Sequence, residues 1–175
     1  VQLPNFMKKQ MQPSDGGWAR LREAQLQIAM NVPHTTLAVT YDVGEWNDIH
    51  PLNKKAVAHR LFLGARKVAY GEKLVSSGPV YKEMKIEGDK IILTFTETGS
   101  GLTSKEGVLK HFAIAGEDRK FVWANAVIKG GRIIVSSKDV AKPVAVRYAW
   151  SDNPEEANLC NKEGLLASPF RTDNW

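Results

Sequence analysis

The stretch LAVTYDVGEWNDIHPLNKKAVAHRL, from Leu37 to Leu61, decides the fold. Together with the two threonines before it, its first part reads TTLAVTYDV (residues 35–43). This run is rich in β-branched residues and is typical of a buried strand. A polar loop follows, and Asn53 can then cap a helix from Lys54 to about Tyr70, with Gly71 as a C-terminal stop. Four residues at helical spacing form the expected inner face of this helix: Val57, Leu61, Gly64 and Val68.

The residues before this stretch repeat the same order of elements. Val1–Leu3 is expected to be the end of a strand, because Pro4 cannot continue one. The next periodic segment predicts a helix over residues 18–30. Its expected inner face consists of Trp18, Leu21, Gln25 and Ile28. The order β-α-β-α is typical of a parallel sheet covered by helices, and it is too short for a complete domain. We therefore expect residues 1–76 to be the last third of an α/β domain, in a chain that is a fragment of something longer.

From Ser77 onward the pattern changes to short alternating runs separated by turn residues. The runs KIILTFT, LKHFAIA, FVWANAVI, GRIIVSS and PVAVRYAW predict strands, and their spacing predicts an antiparallel β-sandwich over residues 77–175. In the last run, Val144, Val146, Tyr148 and Trp150 share one face, the pattern of a half-buried strand. The junction between the two parts is expected at Ser76–Pro79.

Composition narrows the classes of function. The net charge is +5, but no basic run is longer than two residues, so we expect no nucleic-acid partner. No run of eighteen apolar residues is present, so we expect no membrane span, and the sequence shows no signal peptide. Cys160 is the single cysteine, which excludes a disulfide or a thiolate zinc site within one chain.

Asp48 and His50 are the candidate catalytic residues. They lie on a loop at the carboxyl end of the predicted strand, where open α/β sheets gather functional groups. A carboxylate beside a histidine can hold the ring in one tautomer so that the ring acts as a general base. A histidine next to an aspartate is also common on solvated surfaces, and the pair could also be two ligands of a metal site whose third ligand is not evident. Cys160 is a weaker nucleophile candidate, and the other histidines are expected to be structural or solvated: His34, His59 and His111.

Several segments in order resemble one family. The segments WARLREAQ, LAVTYDVGEWNDIHPLNKKAVAHRLFLGAR, FAIAGEDRKFVWANAVI, PVAVRYAWSDNP and NLCNKEGLLASPFRTDNW are together similar to the C-terminal part of sialate O-acetylesterases. The resemblance covers the chain from Val1 to Trp175. Members of this family are serine esterases of the SGNH-hydrolase type that remove acetyl groups from sugar hydroxyls. The resemblance implies a flavodoxin-like parallel sheet, followed by the β-sandwich.

The resemblance also implies roles for individual residues. His50 is implied as the catalytic histidine and Asp48 as the triad acid, although many SGNH hydrolases carry the Asp three residues before the His, where this chain has Asn47. Asp42 is the alternative orienting carboxylate. Glu45 and Trp46 are implied to line the sugar site, although loop exposure and packing explain them equally well.

The nucleophilic serine is expected outside this sequence. The family places it in a Gly-x-Ser block upstream of Val1, together with the oxyanion-hole residues. The similar tripeptide around Ser100 is better explained by a turn. No metal or organic cofactor is implied. The implied partners are an O-acetylated sugar and the N-terminal part of the same protein, and exposed sheet and helix faces predict a homo-oligomer otherwise.

Two other functions remain open at this point. The sandwich could be a non-catalytic carbohydrate-binding module in which Trp123, Trp150 and Trp175 stack on sugars, or it could be a scaffold that braces the hydrolase part. The family implies a secreted or periplasmic location, or a lysosomal one in a eukaryote.

Overall fold

Two helices precede ten strands in the computed structural model, which describes residues 1–175. The helices are α1 (Gly17–Asn31) and α2 (Lys54–Val68). The strands are β1 (Val80–Glu87), β2 (Lys90–Thr96), β3 (Leu102–Ser104), β4 (Phe112–Ala115), β5 (Val122–Trp123), β6 (Asn125–Lys129), β7 (Arg132–Ser136), β8 (Ala145–Tyr148), β9 (Leu159–Asn161) and β10 (Phe170–Arg171). Neither helix combines the length and the apolar character that crossing a membrane requires.

The strands form two four-stranded sheets and one two-stranded sheet, and every pair of strands is antiparallel. The orders are β1-β2-β7-β6, β10-β8-β4-β5 and β3-β9. Alternate residues of β2, such as Ile91 and Leu93, are fully buried, as a two-residue period requires when one face meets the core. They share one apolar cluster with Phe112 and Tyr148 of the other large sheet. The two large sheets therefore pack around a common core, as in a β-sandwich.

Strand β8 differs from the half-buried strand that the sequence predicts. Val146 and Tyr148 do belong to the core, but all four residues of the strand are buried. The opposite face holds Arg147, whose guanidinium donates two hydrogen bonds of 2.8 Å to the buried carboxylate of Asp173 and lies 4.2 Å from the ring centroid of Phe121. A strand can be buried on both faces when its charged residue has a buried partner of opposite charge. The alternation of polar and apolar residues in the sequence does not show this kind of burial.

The first part of the chain forms the two predicted helices but no regular strand. Val1–Leu3 and residues 35–40 have no regular secondary structure, and residues 41–43 form a turn in which the Val43 amide donates to the Thr40 carbonyl at 3.2 Å. The first two segments lie side by side, because the Gln2 amide donates to the Ala38 carbonyl at 2.8 Å and the Thr40 hydroxyl donates to the Gln2 carbonyl at 2.5 Å. The strand assignments are thus wrong for the chain as it stands, and the parallel sheet stays a prediction.

Helix α1 turns a different face inward from the one that its apolar residues predict. Leu21 and Ile28 are more than half exposed, whereas Ala19 and Arg22 are fully buried. The Arg22 guanidinium donates to the carbonyls of four residues from two distant segments: Leu3, Pro4, Ser151 and Asp152. Burial lowers the pKa of Arg22 to about 10, with the Asp152 carboxylate opposing that shift, so the side chain stays charged at neutral pH. These hydrogen bonds fix the orientation of α1 against the rest of the chain.

Helix α2 packs as predicted at its one buried position. Gly64 lies against Thr36, and a Cβ atom at this glycine would come within 2.4 Å of the threonine methyl carbon. Only a glycine allows this close approach of the helix to the extended segment. Val57 and Val68 are partly buried, but Leu61 is exposed.

The two parts of the chain share one core. Val39 and Tyr41 belong to the same apolar cluster as the sandwich residues. The Tyr41 hydroxyl donates to the Ala167 carbonyl at 3.0 Å and lies 3.2 Å from the Tyr148 hydroxyl, which accepts from the Leu159 amide. The segment that leads into the candidate site is therefore anchored directly on the sandwich.

Candidate active site

Asp48 and His50 meet on the surface loop between the extended segment and α2. Asp48 Oδ1 lies 3.0 Å from His50 Nδ1 and accepts the His50 backbone N–H at 2.8 Å. Both hydrogen bonds lower the pKa of Asp48, and the one from the backbone has the larger effect. Desolvation opposes them slightly. Asp48 therefore stays ionised as the pH falls, and its carboxylate holds one ring nitrogen in place. The His50 side chain is 82% exposed, so the rest of the ring is free to meet a further group.

Two hydrogen bonds hold this loop against the N-terminal residues. The Gly44 amide donates to Asn5 Oδ1 at 2.8 Å, and the Met7 amide donates to the Trp46 carbonyl at 2.7 Å. A Cβ atom at Gly44 would lie 2.6 Å from the Asn5 carbonyl oxygen, so this close approach requires glycine. The Asn5 side chain also donates to Asn153 Oδ1 at 3.2 Å, which connects the loop to the β-sandwich. Because Asn5 and Asn153 are buried, they fix the loop more firmly than an exposed contact could.

Helix α2 begins directly after the pair. The side chain of Asn53 accepts the Ala56 amide at 3.1 Å, which is the N-cap that the sequence predicts. The cap residue lies three residues after His50, and the helix starts at the next residue, Lys54. The loop is thus held by tertiary hydrogen bonds at one end and by a local cap at the other.

Asp42 does not approach His50. Both of its oxygens accept from the Arg60 guanidinium, at 2.6 and 2.8 Å, and Oδ2 also accepts from Lys105 at 2.7 Å. Burial favours the neutral acid, but the hydrogen bonds from Arg60 and then Lys105 outweigh it and lower the pKa of Asp42. In this structure Asp42 is a structural ion-pair partner that links α2 to the sandwich. The alternative that Asp42 orients His50 is therefore not supported here.

Glu45 and Trp46 lie on the same loop but have different surroundings. The Glu45 carbonyl accepts from the Asp48 amide at 3.4 Å, and the Glu45 side chain is exposed. Trp46 is 53% exposed and lines a cavity of about 210 Å³ together with Lys8, Lys9, Asn153 and Glu155. Trp46 therefore has an open surface and polar neighbours, as a sugar site requires, whereas Glu45 stands outside that cavity.

The other candidates from the sequence do not form a second catalytic set. The Ser100 hydroxyl donates to Glu163 at 2.5 Å within an exposed turn. Cys160 is buried, and burial raises the pKa of its thiol, so the unreactive protonated form dominates. No three His, Cys, Asp or Glu side chains are grouped in a way that could hold a metal ion.

Sequence reasoning missed His111 as a residue of interest. It lies just before β4 with a backbone φ of 62° and is 8% exposed, in the wall of a cavity of about 350 Å³ beside Trp123. The signal was present in the strand runs, because pairing LKHFAIA with FVWANAVI brings Ala113 opposite Trp123 and His111 close by.

Comparisons with known proteins agree with the resemblance seen in the sequence. A scan against models of protein families returns no match. The chain is 32% identical to the sialate O-acetylesterase of Mus musculus and 31% identical to that of Homo sapiens, in each case over 97% of this chain. The alignments cover 34% and 36% of those relatives, so the chain spans about a third of their length.

A solved structure has the same fold. The crystal structure of a carbohydrate acetylesterase from Xanthomonas citri superposes on 99% of this chain with a TM-score of 0.93 and 49% sequence identity, and the match covers 40% of that protein. The mixed α/β fold with its antiparallel sheets is therefore that of a part of a carbohydrate acetylesterase.

By sequence and by fold, the chain belongs to the sialate O-acetylesterase family.

Proposed function

We propose that this chain is the part of a carbohydrate esterase that supplies the histidine and the aspartate of a Ser-His-Asp mechanism. The substrate class is an acetyl ester on a sugar hydroxyl, on sialic acid or on another sugar. The observation that carries the proposal is the 3.0 Å contact between His50 Nδ1 and Asp48 Oδ1 on an exposed loop. The names of the relatives, which are esterases of this kind, support the same reaction.

The geometry suits a general base. An ionised Asp48 keeps the proton of the neutral ring on Nδ1 and leaves the lone pair of Nε2 directed away from the carboxylate. His50 would take the proton of a serine as that serine attacks the acetyl carbonyl, and would return it to the sugar oxygen as the acetyl-enzyme forms. Water, activated in the same way, would release acetate. Asp48 stabilises the imidazolium at both stages.

The serine would come from a portion of the protein other than these 175 residues. Ser100 is unsuited, because its hydroxyl is held by Glu163 and is not paired with a histidine. We therefore expect the isolated chain to be inactive and the complete protein to be active.

Exposed apolar residues on both helices support a covering partner, which we propose to be the N-terminal part of the same protein. Leu21 and Ile28 of α1 and Phe62 of α2 are each more than half exposed. The backbone hydrogen bond from the Gln2 amide to the Ala38 carbonyl is of the kind that a sheet in the complete protein would contain, whereas Thr40 reaches the Gln2 carbonyl only through its side-chain hydroxyl. Without that partner we expect the chain to self-associate. The family's secreted, periplasmic or lysosomal location remains part of this proposal.

The test is acetate release from an O-acetylated sialic acid, measured for the isolated chain and for the complete protein. We expect release only from the complete protein. Acetate release by the pure chain that survives the His50→Ala substitution would contradict the proposal. Sugar binding by the complete protein without any turnover would favour the alternative of a non-catalytic carbohydrate-binding module.

A further inference from the structure

A second cavity, separate from the Asp48–His50 pair, lies between the N-terminal loop and β4. It has a volume of about 350 Å³, and its wall includes Lys9, Lys110, His111, Trp123 and Glu156. Binding cavities for small molecules in proteins commonly combine an aromatic or apolar wall with a few converging polar groups. This cavity has both features and no assigned role.

His111 is the least explained residue of this wall. Its side chain is buried, yet Nε2 lies 3.9 Å from Glu156 Oε2, beyond hydrogen-bond distance, and no protein group bonds to the ring. The ring nitrogens are not among the buried polar atoms that lack a partner, so they open onto the cavity and can bond to a molecule that occupies it. Burial lowers the pKa of His111 to about 4, so the ring is neutral at pH 7 and offers one donor and one acceptor. A φ of 62° at a residue other than glycine costs energy that a functional position can justify.

Trp123 provides the aromatic surface. It is 39% exposed, its ring packs edge-to-face with His111 at 5.4 Å between centroids, and its indole N–H donates to the Met11 carbonyl at 2.9 Å. The ring is therefore fixed in orientation while part of it remains open to a ligand. Charged groups stand beside it, since Lys9 forms an ion pair with Glu156.

This cavity shares a lining residue with the one beside Trp46. Lys9 lines both cavities, and the neighbouring residues Glu155 and Glu156 line one each. The loop between them is tied at Met7 to Trp46 and at Met11 to Trp123. The Cα atoms of Met7 and Met11 are four residue steps apart, which is at most about 14 Å.

We propose that the Trp123–His111 cavity is a second carbohydrate subsite, which binds a pyranose ring of the substrate glycan at a distance from the acetylated sugar. The ring would lie on the open surface of Trp123, and its hydroxyl groups would bond to His111, Lys9 and Glu156. This inference rests on the proposed function for the identity of the glycan. It assigns to the sandwich side of the molecule a part in selecting oligosaccharides over single sugars.

The test is a titration of the 175-residue chain with 3′-sialyllactose and with cellotriose, followed by the indole N–H resonance of Trp123 and the ring resonances of His111. We expect saturable shifts at both residues with at least one trisaccharide. Loss of an aromatic contact of about 1 kcal/mol predicts roughly fivefold weaker binding for Trp123→Ala. His111→Gln, which keeps a polar group, is the second variant. Tyr70→Ala, which removes a more exposed aromatic residue outside both cavities, is the control.

Shifts at both residues in the natural chain, with the His111 shifts lost in Trp123→Ala and retained in Tyr70→Ala, would support the subsite. The absence of shifts with both trisaccharides would overturn it, as would binding that is unchanged in both Trp123→Ala and His111→Gln. Because this readout needs no turnover, it can fail while the esterase assay succeeds, and the reverse is equally distinguishable.

Discussion

Two carboxylates six residues apart on one segment have opposite surroundings in this protein. The Asp42 side chain is 12% exposed and is held by two cations, whereas that of Asp48 is 45% exposed and contacts only His50 and its own loop. Both oxygens of Asp42 are held by cations, so this carboxylate is not free to pair with His50. An exposed carboxylate beside an open histidine contributes little to stability and is available for catalysis. The contrast indicates a structural role for Asp42 and agrees with the catalytic role that we propose for Asp48.

The largest effect should come from the histidine of the exposed pair. In the complete protein, His50→Ala removes the only group proposed to take the proton from the serine. We expect the kcat for acetate release to fall by at least about 10⁴-fold, as for other catalytic histidines of triads. His59→Ala, in the middle of α2 and exposed, is the matched control and should leave kcat unchanged. If the His50→Ala enzyme kept a large part of its activity, His50 would not be the general base and the proposed role of the exposed pair would be wrong.

The buried pair should dominate stability. Arg60→Ala leaves Asp42 buried with Lys105 as its single remaining cation, and we expect the free energy of unfolding to fall by about 3 kcal/mol. Urea unfolding of the chain measures this change. Arg66→Ala, in the same helix, breaks the exposed pair with Glu72 and should leave the unfolding midpoint nearly unchanged. If the two substitutions lowered the free energy of unfolding equally, burial would not make the Arg60–Asp42 pair more stabilising than the exposed Arg66–Glu72 pair.

His111 is a buried group whose protonation should make the stability of the fold depend on pH. Its pKa of about 4 lies below the ordinary value of 6.5, so the unfolded chain binds a proton at a pH where the folded chain does not. Stability from this residue is therefore complete above about pH 6.5 and is lost as the pH falls toward 4, by about 2 kcal/mol between pH 7 and pH 5. The groups that face it are Glu156, Lys9, Lys110 and Trp123.

The measurement is the free energy of unfolding at pH 7 and at pH 5 for the natural chain and for His111→Phe. The phenylalanine keeps an aromatic ring but cannot take up a proton, so this part of the pH dependence should disappear. A pH dependence of the same size in both chains would assign it to other groups.

The smallest effect concerns the cap that follows the exposed pair. Asn53→Ala removes the side-chain acceptor for the Ala56 amide, and we expect a loss of about 1 kcal/mol in the free energy of unfolding. Asn53→Asp retains an acceptor and serves as the control. A loss of stability in the aspartate variant equal to that in the alanine variant would show that the cap does not stabilise α2.

Local signals in the sequence predicted the local features of the structure. The cap at Asn53, the buried Gly64 and the strand runs of the second part could all be identified because propensity and periodicity act over a few residues. The contact between Asp48 and His50 belongs to the same class, since two residues separated by one position on a turn can meet without help from the rest of the chain.

Tertiary features could not be predicted in this way. The inner face of α1 is set by Arg22, a residue type that is rarely buried, because four distant carbonyls converge on its guanidinium. The pairing of Asp42 with Lys105 joins residues 63 positions apart. The extended segment around Val39 has strand composition, but a ladder needs neighbours that these residues do not provide. Asp42 and Asp48 cannot be told apart from the sequence, because contacts between residues far apart in the chain decide which of them is buried.

The most direct test compares Asp48→Asn with Asp42→Asn in the complete protein, measuring kcat for acetate release and the unfolding midpoint of each. We predict that Asp48→Asn lowers kcat by about 10³–10⁴-fold, because the ring loses the partner that fixes its tautomer, while the midpoint stays unchanged. Asp42→Asn should lower the midpoint and leave kcat close to that of the natural enzyme. Unchanged activity in Asp48→Asn, together with loss of activity in a stably folded Asp42→Asn, would contradict the account.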